Sequence, residues 1–219
     1  MWLLRPPGVY PPQDDTRLLA EAMAYAGIRP GAHVLDVCTG TGALAVAAAR
    51  AGAGEVTAVD RCRRAVFAAW ANGRAHRVRV RARHGDFGDL VGERRFDVVT
   101  ANPPYVPSQD VPDRGPARAW DAGERGRAVL DRLCAVMPLL LAERGIGLIV
   151  HSGLCGEEAT LHQLRGGGLK ASVVARRTVP FGPVMRGRAR WLEDRGLIAP
   201  GQRHEELVVI RADRADAAA

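Results

Sequence analysis

His33-Val34-Leu35-Asp36-Val37-Cys38-Thr39-Gly40-Thr41-Gly42-Ala43-Leu44-Ala45-Val46-Ala47-Ala48 changes character at its centre. The first five residues are a short apolar run of the kind a buried strand uses. Gly40 and Gly42 then allow a tight turn and let another group approach the backbone closely. From Ala43 to Ala51 the small side chains predict a helix able to lie close against a sheet. The free N–H groups at such a helix start suit a polar ligand. Gly40-x-Gly42-x-x-Ala45 also satisfies a relaxed dinucleotide fingerprint, so at this point a nicotinamide cofactor is one of the readings.

The alternation continues outward. Glu55 to Asp60 reads as a second strand and Arg61 to Ala71 as a second helix. Val78 to Arg83 reads as a third strand ending at His84-Gly85-Asp86-Phe87, and Phe96 to Asn102 as a fourth. After a loop of some twenty residues, longer than most connections, a helix is expected over Glu124 to Ala142, kinked or cut short by Pro138. Gly145 to His151, Leu169 to Val179 and Glu206 to Arg211 are the remaining strands, with a helix from Glu157 to Leu164 and a basic loop or helical insert from Arg186 to Arg195. Upstream, residues 1–13 are proline-rich and extended, and Asp14 or Asp15 caps a helix that Gly27 ends. Strands alternating with helices mean a parallel, doubly wound α/β sheet with helices on both faces. One domain is expected over 1–219: an N-terminal extension and helix at 1–30, a core at 31–213 and a frayed tail at 214–219.

Four successive strands close on a carboxylate or amide: Asp36, Asp60, Asp86 and Asn102. In an open parallel sheet, ligands bind at the carboxyl ends of the strands. Asp60, 18 residues past Gly42, can accept both hydroxyls of a ribose, which suits NAD and S-adenosylmethionine equally. Asp86 with Phe87 can hold an adenine amino group and cover its ring. Asn102 is followed by Pro103-Pro104-Tyr105, and two prolines forbid a regular continuation and stiffen the loop that presents the amide. The Asn102 side-chain oxygen and the Pro103 carbonyl can together hold both hydrogens of a planar nitrogen, with Tyr105 packed against it or simply anchoring the loop.

Taken together, Asp36-x-Cys38-Thr39-Gly40-Thr41-Gly42, Asp60, Gly85-Asp86-Phe87 and Asn102-Pro103-Pro104-Tyr105 resemble the Rossmann-like S-adenosylmethionine-dependent methyltransferases. Val9-Tyr10-Pro11-Pro12-Gln13-Asp14-Asp15-Thr16, Trp120-Asp121-Ala122-Gly123-Glu124-Arg125-Gly126-Arg127 and Glu205-Glu206-Leu207-Val208-Val209 are similar to the short eukaryotic and archaeal branch of the HemK/PrmC family. The resemblance implies a seven-stranded sheet, mostly parallel with its last strand antiparallel. It implies methylation of an amide nitrogen, with protein glutamine N5 in a release-factor-like substrate as the leading acceptor. It also implies that Thr16, Asp36, Cys38, Gly40, Gly42, Asp60, Asp86, Phe87 and Asn102 bind the cofactor and that Asn102, Pro103, Pro104 and Tyr105 carry catalysis. N6-adenine in DNA or RNA and a peptide or small metabolite are the alternative acceptors. Cys38 departs from the family's usual glycine and is kept on the expectation of a negative φ. The helical substrate-binding domain of the bacterial family members is not seen.

Composition narrows the partners. The net charge is +7, and every basic residue except Lys170 is arginine, so nucleic acid stays open as a partner beside a solvated basic surface. Cys38, Cys62, Cys134 and Cys155 have no C-x-x-C spacing and read as reduced thiols of a cytoplasmic protein. No zinc spacing, signal peptide or membrane-spanning run is present, so neither a metal nor a membrane is expected. Arg77, Arg79, Arg81 and Arg83 alternate with apolar residues on the expected edge strand, a device against pairing with another chain. Family members of this branch carry a zinc-binding activator subunit on that edge; this chain is expected to need none.

Overall fold

The structure is a computed structural model and describes residues 1–215. Seven strands form one sheet in the order β3-β2-β1-β4-β5-β7-β6. They are β1 (His33–Val37), β2 (Glu55–Asp60), β3 (Arg81–His84), β4 (Phe96–Ala101), β5 (Leu141–Ser152), β6 (Lys170–Pro180) and β7 (His204–Asp213). The first five in chain order pair in parallel, and β7 lies antiparallel between β5 and β6. The helices are α1 (Asp14–Ala26), α2 (Ala43–Arg50), α3 (Arg63–Ala75), α4 (Ala128–Leu140), α5 (Glu157–Gly166) and α6 (Pro183–Asp194).

Because a strand sends alternate side chains to opposite faces, the sheet builds two cores. Val34, Val56, Val98, Leu148, Val150 and Val209 pack under α1 and α2. Leu35, Val37, Val99, Ile149 and Val208 pack under α4 and α5. Chain order reverses between β1 and β4, and their carboxyl ends open the crevice where doubly wound sheets bind ligands.

Several boundaries differ from the sequence reading. The third strand starts at Arg81, not Val78. Arg77 has φ 57°, and the Val78 N–H returns to the Gly73 carbonyl, so residues 76–80 serve to reverse the chain out of α3. Arg77 and Arg79 are therefore off the strand; Arg81 and Arg83 remain on it, and Arg83 is paired with Glu93. α4 begins at Ala128 because Gly126, at φ 67°, turns the chain before it, and it ends two residues after Pro138. The basic segment is a helix, α6, whose Met185, Ala189 and Leu192 pack with Phe181 and Ile198. Neither aspartate caps α1: Gln13 stands at that position and Asp15 turns inward. At the other end Arg214 is held, its N–H on the Gly145 carbonyl and its guanidinium on the Pro138 and Leu141 carbonyls. Residues 216–219 of the expected frayed tail lie outside the described residues.

Among the described residues no helix is long and apolar enough to cross a membrane, and no cluster of His, Cys, Asp or Glu could hold a metal ion.

Candidate active site at the β1–β4 crevice

Asp36, the fourth residue of β1, is fully buried and organises the turn that follows it. It accepts the Thr39 hydroxyl at 2.6 Å, the Ala45 N–H at 3.1 Å and the Thr100 hydroxyl of β4 at 3.2 Å. Burial pushes its pKa up to about 7, against the pull of these donors. Asp60 closes the turn from the β2 side, accepting the Gly40 N–H at 3.0 Å and the Cys62 N–H at 2.8 Å. The Thr39 N–H binds the Val59 carbonyl, and the Gly42 N–H the Thr39 carbonyl. The turn is thus pinned at both ends before any ligand arrives.

Pinning has a consequence for Cys38. Its φ is 56°, in the left-handed region, and not negative as expected. Between the strand-held Val37 and the bonded Thr39 it has no other path, which is why a glycine suits this position. Gly42, expected among the cofactor-binding residues, packs against a neighbouring helix. It lies outside the cavity lining, and a Cβ on it would come within 2.7 Å of the Ala69 Cα in α3. Its missing side chain lets α2 and α3 touch. Gly40 does line the cavity, and a Cβ there would meet only the Tyr10 carbonyl, at 3.9 Å.

The cavity has a volume of about 480 Å³, within the usual range for a small-molecule site. Thr16, Cys38, Gly40, Asp60, Asp86, Phe87, Asn102, Pro103, Pro104 and Tyr105 line it; Asp36 supports it from beneath. Arg61, Arg63, Arg64, Arg118 and Arg132 supply positive charge around this acidic interior. Asp86 caps a short 3-10 turn over Phe87–Leu90, accepting the Gly88 N–H while Asp89 accepts the Asp86 N–H. It also accepts Arg132 at 2.8 Å, and that guanidinium lies 5.2 Å above the Phe87 ring. Arg132 was not singled out from the sequence, because nothing in α4 marks it among so many arginines. His84, exposed and bonded to the Arg61 carbonyl, takes no part in the lining.

Asn102 follows β4 directly, and its Nδ2 donates to the Thr16 hydroxyl at 3.3 Å. Among the described residues, neither the Asn102 side-chain oxygen nor the Pro103 carbonyl accepts a hydrogen bond. Both acceptors, on residues that line the cavity, are therefore unengaged. Tyr105 is tied back: its hydroxyl donates to Asp15 at 3.1 Å, and its carbonyl accepts the Cys155 thiol at 3.0 Å. Burial pushes the Cys155 pKa up to about 12, consistent with a protonated donor. Gly126 sits against the same carbonyl; a Cβ there would fall 2.2 Å from it. Beyond Tyr105 the chain pairs with Trp120–Gly123 through Val106 N–H to the Trp120 carbonyl and Ala122 N–H to the Val106 carbonyl. Arg188 of α6 binds both oxygens of Asp121 at 2.5 and 2.9 Å and also the Pro107 carbonyl.

The first 115 residues, which hold the turn, three of the acids and the Asn102 loop, match the family described as "Methyltransferase small domain". The chain belongs to that family. A Methanocaldococcus jannaschii protein named "Putative protein N5-glutamine methyltransferase" is 34% identical over 82% of the chain and 90% of its own length. The "Release factor glutamine methyltransferase" of Geobacter sulfurreducens is 31% identical over 64% of the chain, which spans 55% of that relative. Among solved structures, the E. cuniculi Mtq2–Trm112 complex, responsible for methylation of the eRF1 termination factor, superposes with a TM-score of 0.64. It is 21% identical, covers 95% of this chain and 99% of that one, and so supports the Rossmann-like methyltransferase fold. Membership in a methyltransferase family removes the nicotinamide reading.

Proposed function

We propose that the chain transfers a methyl group from S-adenosylmethionine to the N5 amide nitrogen of a glutamine in a protein, with a translation release factor as the substrate class. The unengaged pair of acceptors, the Asn102 side-chain oxygen and the Pro103 carbonyl, carries the reading. The names of the relatives above 30% identity favour glutamine over adenine.

The residues present fit the cofactor. Asp60 and Asp86 offer carboxylate oxygens to ribose hydroxyls and an adenine amino group, Phe87 offers a ring face, and the opening at Gly40 admits a ligand to the backbone. Thr16 and Cys38 complete the wall, and Asp36 keeps the turn in shape beneath it. When bound, S-adenosylmethionine supplies an electrophilic sulfonium methyl. The chain's part is orientation. An amide nitrogen is a poor nucleophile because its lone pair is delocalised into the carbonyl. Holding both its N–H bonds in acceptors fixes the plane and aims the lone pair along the line of displacement. The proton leaves readily once the nitrogen is alkylated, so no strong base is required. A loop already stiffened by Pro103 and Pro104 loses little entropy on alignment.

The chain acts without an activator subunit. Of the sheet's two edge strands, β3 is only four residues long and carries Arg81 and Arg83, a poor template for pairing with another chain. Soluble, active protein expressed alone is the expected result; aggregation relieved only by a Trm112-like partner would overturn this part.

The main test is acceptor identification. Purified protein, labelled S-adenosylmethionine and a cell lysate should place label in protein, on a release-factor glutamine, and label in nucleic acid would defeat the proposal. Asn102→Ala should abolish transfer while S-adenosylhomocysteine still binds.

A further inference from the structure

An asparagine side chain can present its oxygen or its NH2 to the same point in space, and only the oxygen can accept an N–H from an incoming amide. Something must choose between the two. Asn102 donates through Nδ2 to the Thr16 hydroxyl at 3.3 Å, and the Thr16 hydroxyl donates to the Asp15 carboxyl at 3.1 Å. The direction of this chain is set at its inner end. Asp15 is 2% exposed and is an acceptor at both oxygens. One oxygen takes the Thr16 N–H at 2.5 Å and the Thr16 hydroxyl; the other takes the Tyr10 hydroxyl at 2.9 Å and the Tyr105 hydroxyl at 3.1 Å. Having spent its hydrogen on Asp15, the Thr16 hydroxyl can offer Asn102 only lone pairs, and only the NH2 end of the amide can use them.

We infer that Thr16 is a positioning residue for methyl transfer, relaying the acceptor character of Asp15 to Asn102 so that the amide oxygen, and not its nitrogen, faces the substrate nitrogen. The inference rests on the proposed role of Asn102. It gives Thr16 a task beyond lining the cofactor cavity, and it gives α1 a direct part in the reaction.

The test compares Thr16→Val, which keeps the shape and removes the hydroxyl, with Thr16→Ser, which keeps the hydroxyl. Steady-state kinetics would use purified release factor and S-adenosylmethionine, with S-adenosylhomocysteine affinity measured by calorimetry. For Thr16→Val, kcat should fall by about a hundredfold, the scale of a misaligned reacting group. KM for the release factor and the affinity for S-adenosylhomocysteine should hold within about threefold, a change of about 0.7 kcal/mol. Thr16→Ser should recover most of kcat. A role confined to the cofactor wall would move the affinity and leave kcat, and that outcome overturns the inference. So does wild-type kcat in Thr16→Val, or a Thr16→Ser variant as slow as Thr16→Val. Asn102→Ala separates the levels. If it is inactive while Thr16→Val is normal, only the relay fails; if it is fully active, the proposed function of the loop fails with it.

Discussion

Cys38 offers a direct measurement of how firmly the turn after β1 is held. At φ 56° a side chain with a Cβ costs about 1–2 kcal/mol relative to glycine. Replacement by glycine also frees the unfolded chain, which takes back about 0.4–1 kcal/mol. Thiol burial would obscure a comparison with the parent, so the informative pair is Cys38→Gly against Cys38→Ala, in which the thiol is missing from both. The balance leaves Cys38→Gly more stable than Cys38→Ala by about 1 kcal/mol, or about 2–4 °C in Tm for a chain of this size. At a position with negative φ the order would reverse, glycine being worse than alanine by about 0.5–1 kcal/mol. The sign alone therefore decides. Urea unfolding of both variants, at pH 7 and with a reducing agent present, measures it. Equal stability, or Cys38→Ala the more stable, would refute the claim that Asp36, Asp60 and the Val59 carbonyl force the left-handed turn.

Two further outcomes follow from the same geometry. Gly126→Ala would place a Cβ 2.2 Å from the Tyr105 carbonyl and 2.8 Å from the Cys155 sulfur at φ 67°; an unfolding cost of about 1–3 kcal/mol and a loss of transfer at least as large as that of stability are expected, read by thermal melts and initial rates. His151 is buried with its Nδ1 on the Ser152 carbonyl and its Nε2 without a partner among the described residues, and burial lowers its pKa from 6.5 to about 4. The folded state therefore binds fewer protons than the unfolded state between those values, so this stability is present above pH 6.5 and is lost as pH falls towards 4. Its full extent, at about 1.4 kcal/mol per pH unit, is about 3 kcal/mol. Asp36, with its raised value of about 7, acts in the opposite sense, its contribution fading as pH rises from about 4 to 7. His151→Gln should flatten the acid-side loss in a series of urea titrations from pH 4 to 7, and an unchanged slope would count against the burial argument.

Much of the fold was legible because its signals are local. β1 and β2 were read to the residue, since short apolar runs bounded by Gly, Pro and polar residues leave few alternatives. β3 was misread because alternating Arg and Val satisfy the strand pattern even where Arg77 and the Gly73 carbonyl turn the chain. Asp36, Asp60, Asp86 and Asn102 could be placed along one rim of the sheet because strand ends are one-dimensional landmarks. Asp15, Tyr10, Arg132, Cys155 and Gly126 were not assigned their contacts, because each partner lies on another element. Asp15 reaches Tyr105, 90 residues away, and Cys155 reaches it from 50. Asp15 looked like a helix cap from its neighbours alone; only the packed structure turns it inward.

The stiffness of the Asn102 loop also has a different origin from the one its prolines suggest. Pro103 and Pro104 remove backbone freedom, but they do not decide where the loop points. Direction comes from three attachments on separate elements. Asp15 of α1 holds the Tyr105 hydroxyl, Cys155 with Gly126 holds the Tyr105 carbonyl, and Trp120–Gly123 holds Val106, itself backed by Arg188 of α6. The Arg188–Asp121 pair is largely shielded from water, the two side chains being 28% and 10% exposed, so loss of either partner strands the other's charge. Each attachment fixes a different atom of the loop, and none touches the Asn102 oxygen or the Pro103 carbonyl. These attachments hold the loop on either side of the two acceptors and leave both free for the substrate nitrogen of the proposed reaction. A loop held only by its own prolines would present the same atoms over a range of directions, and the proposed displacement at a sulfonium methyl requires one.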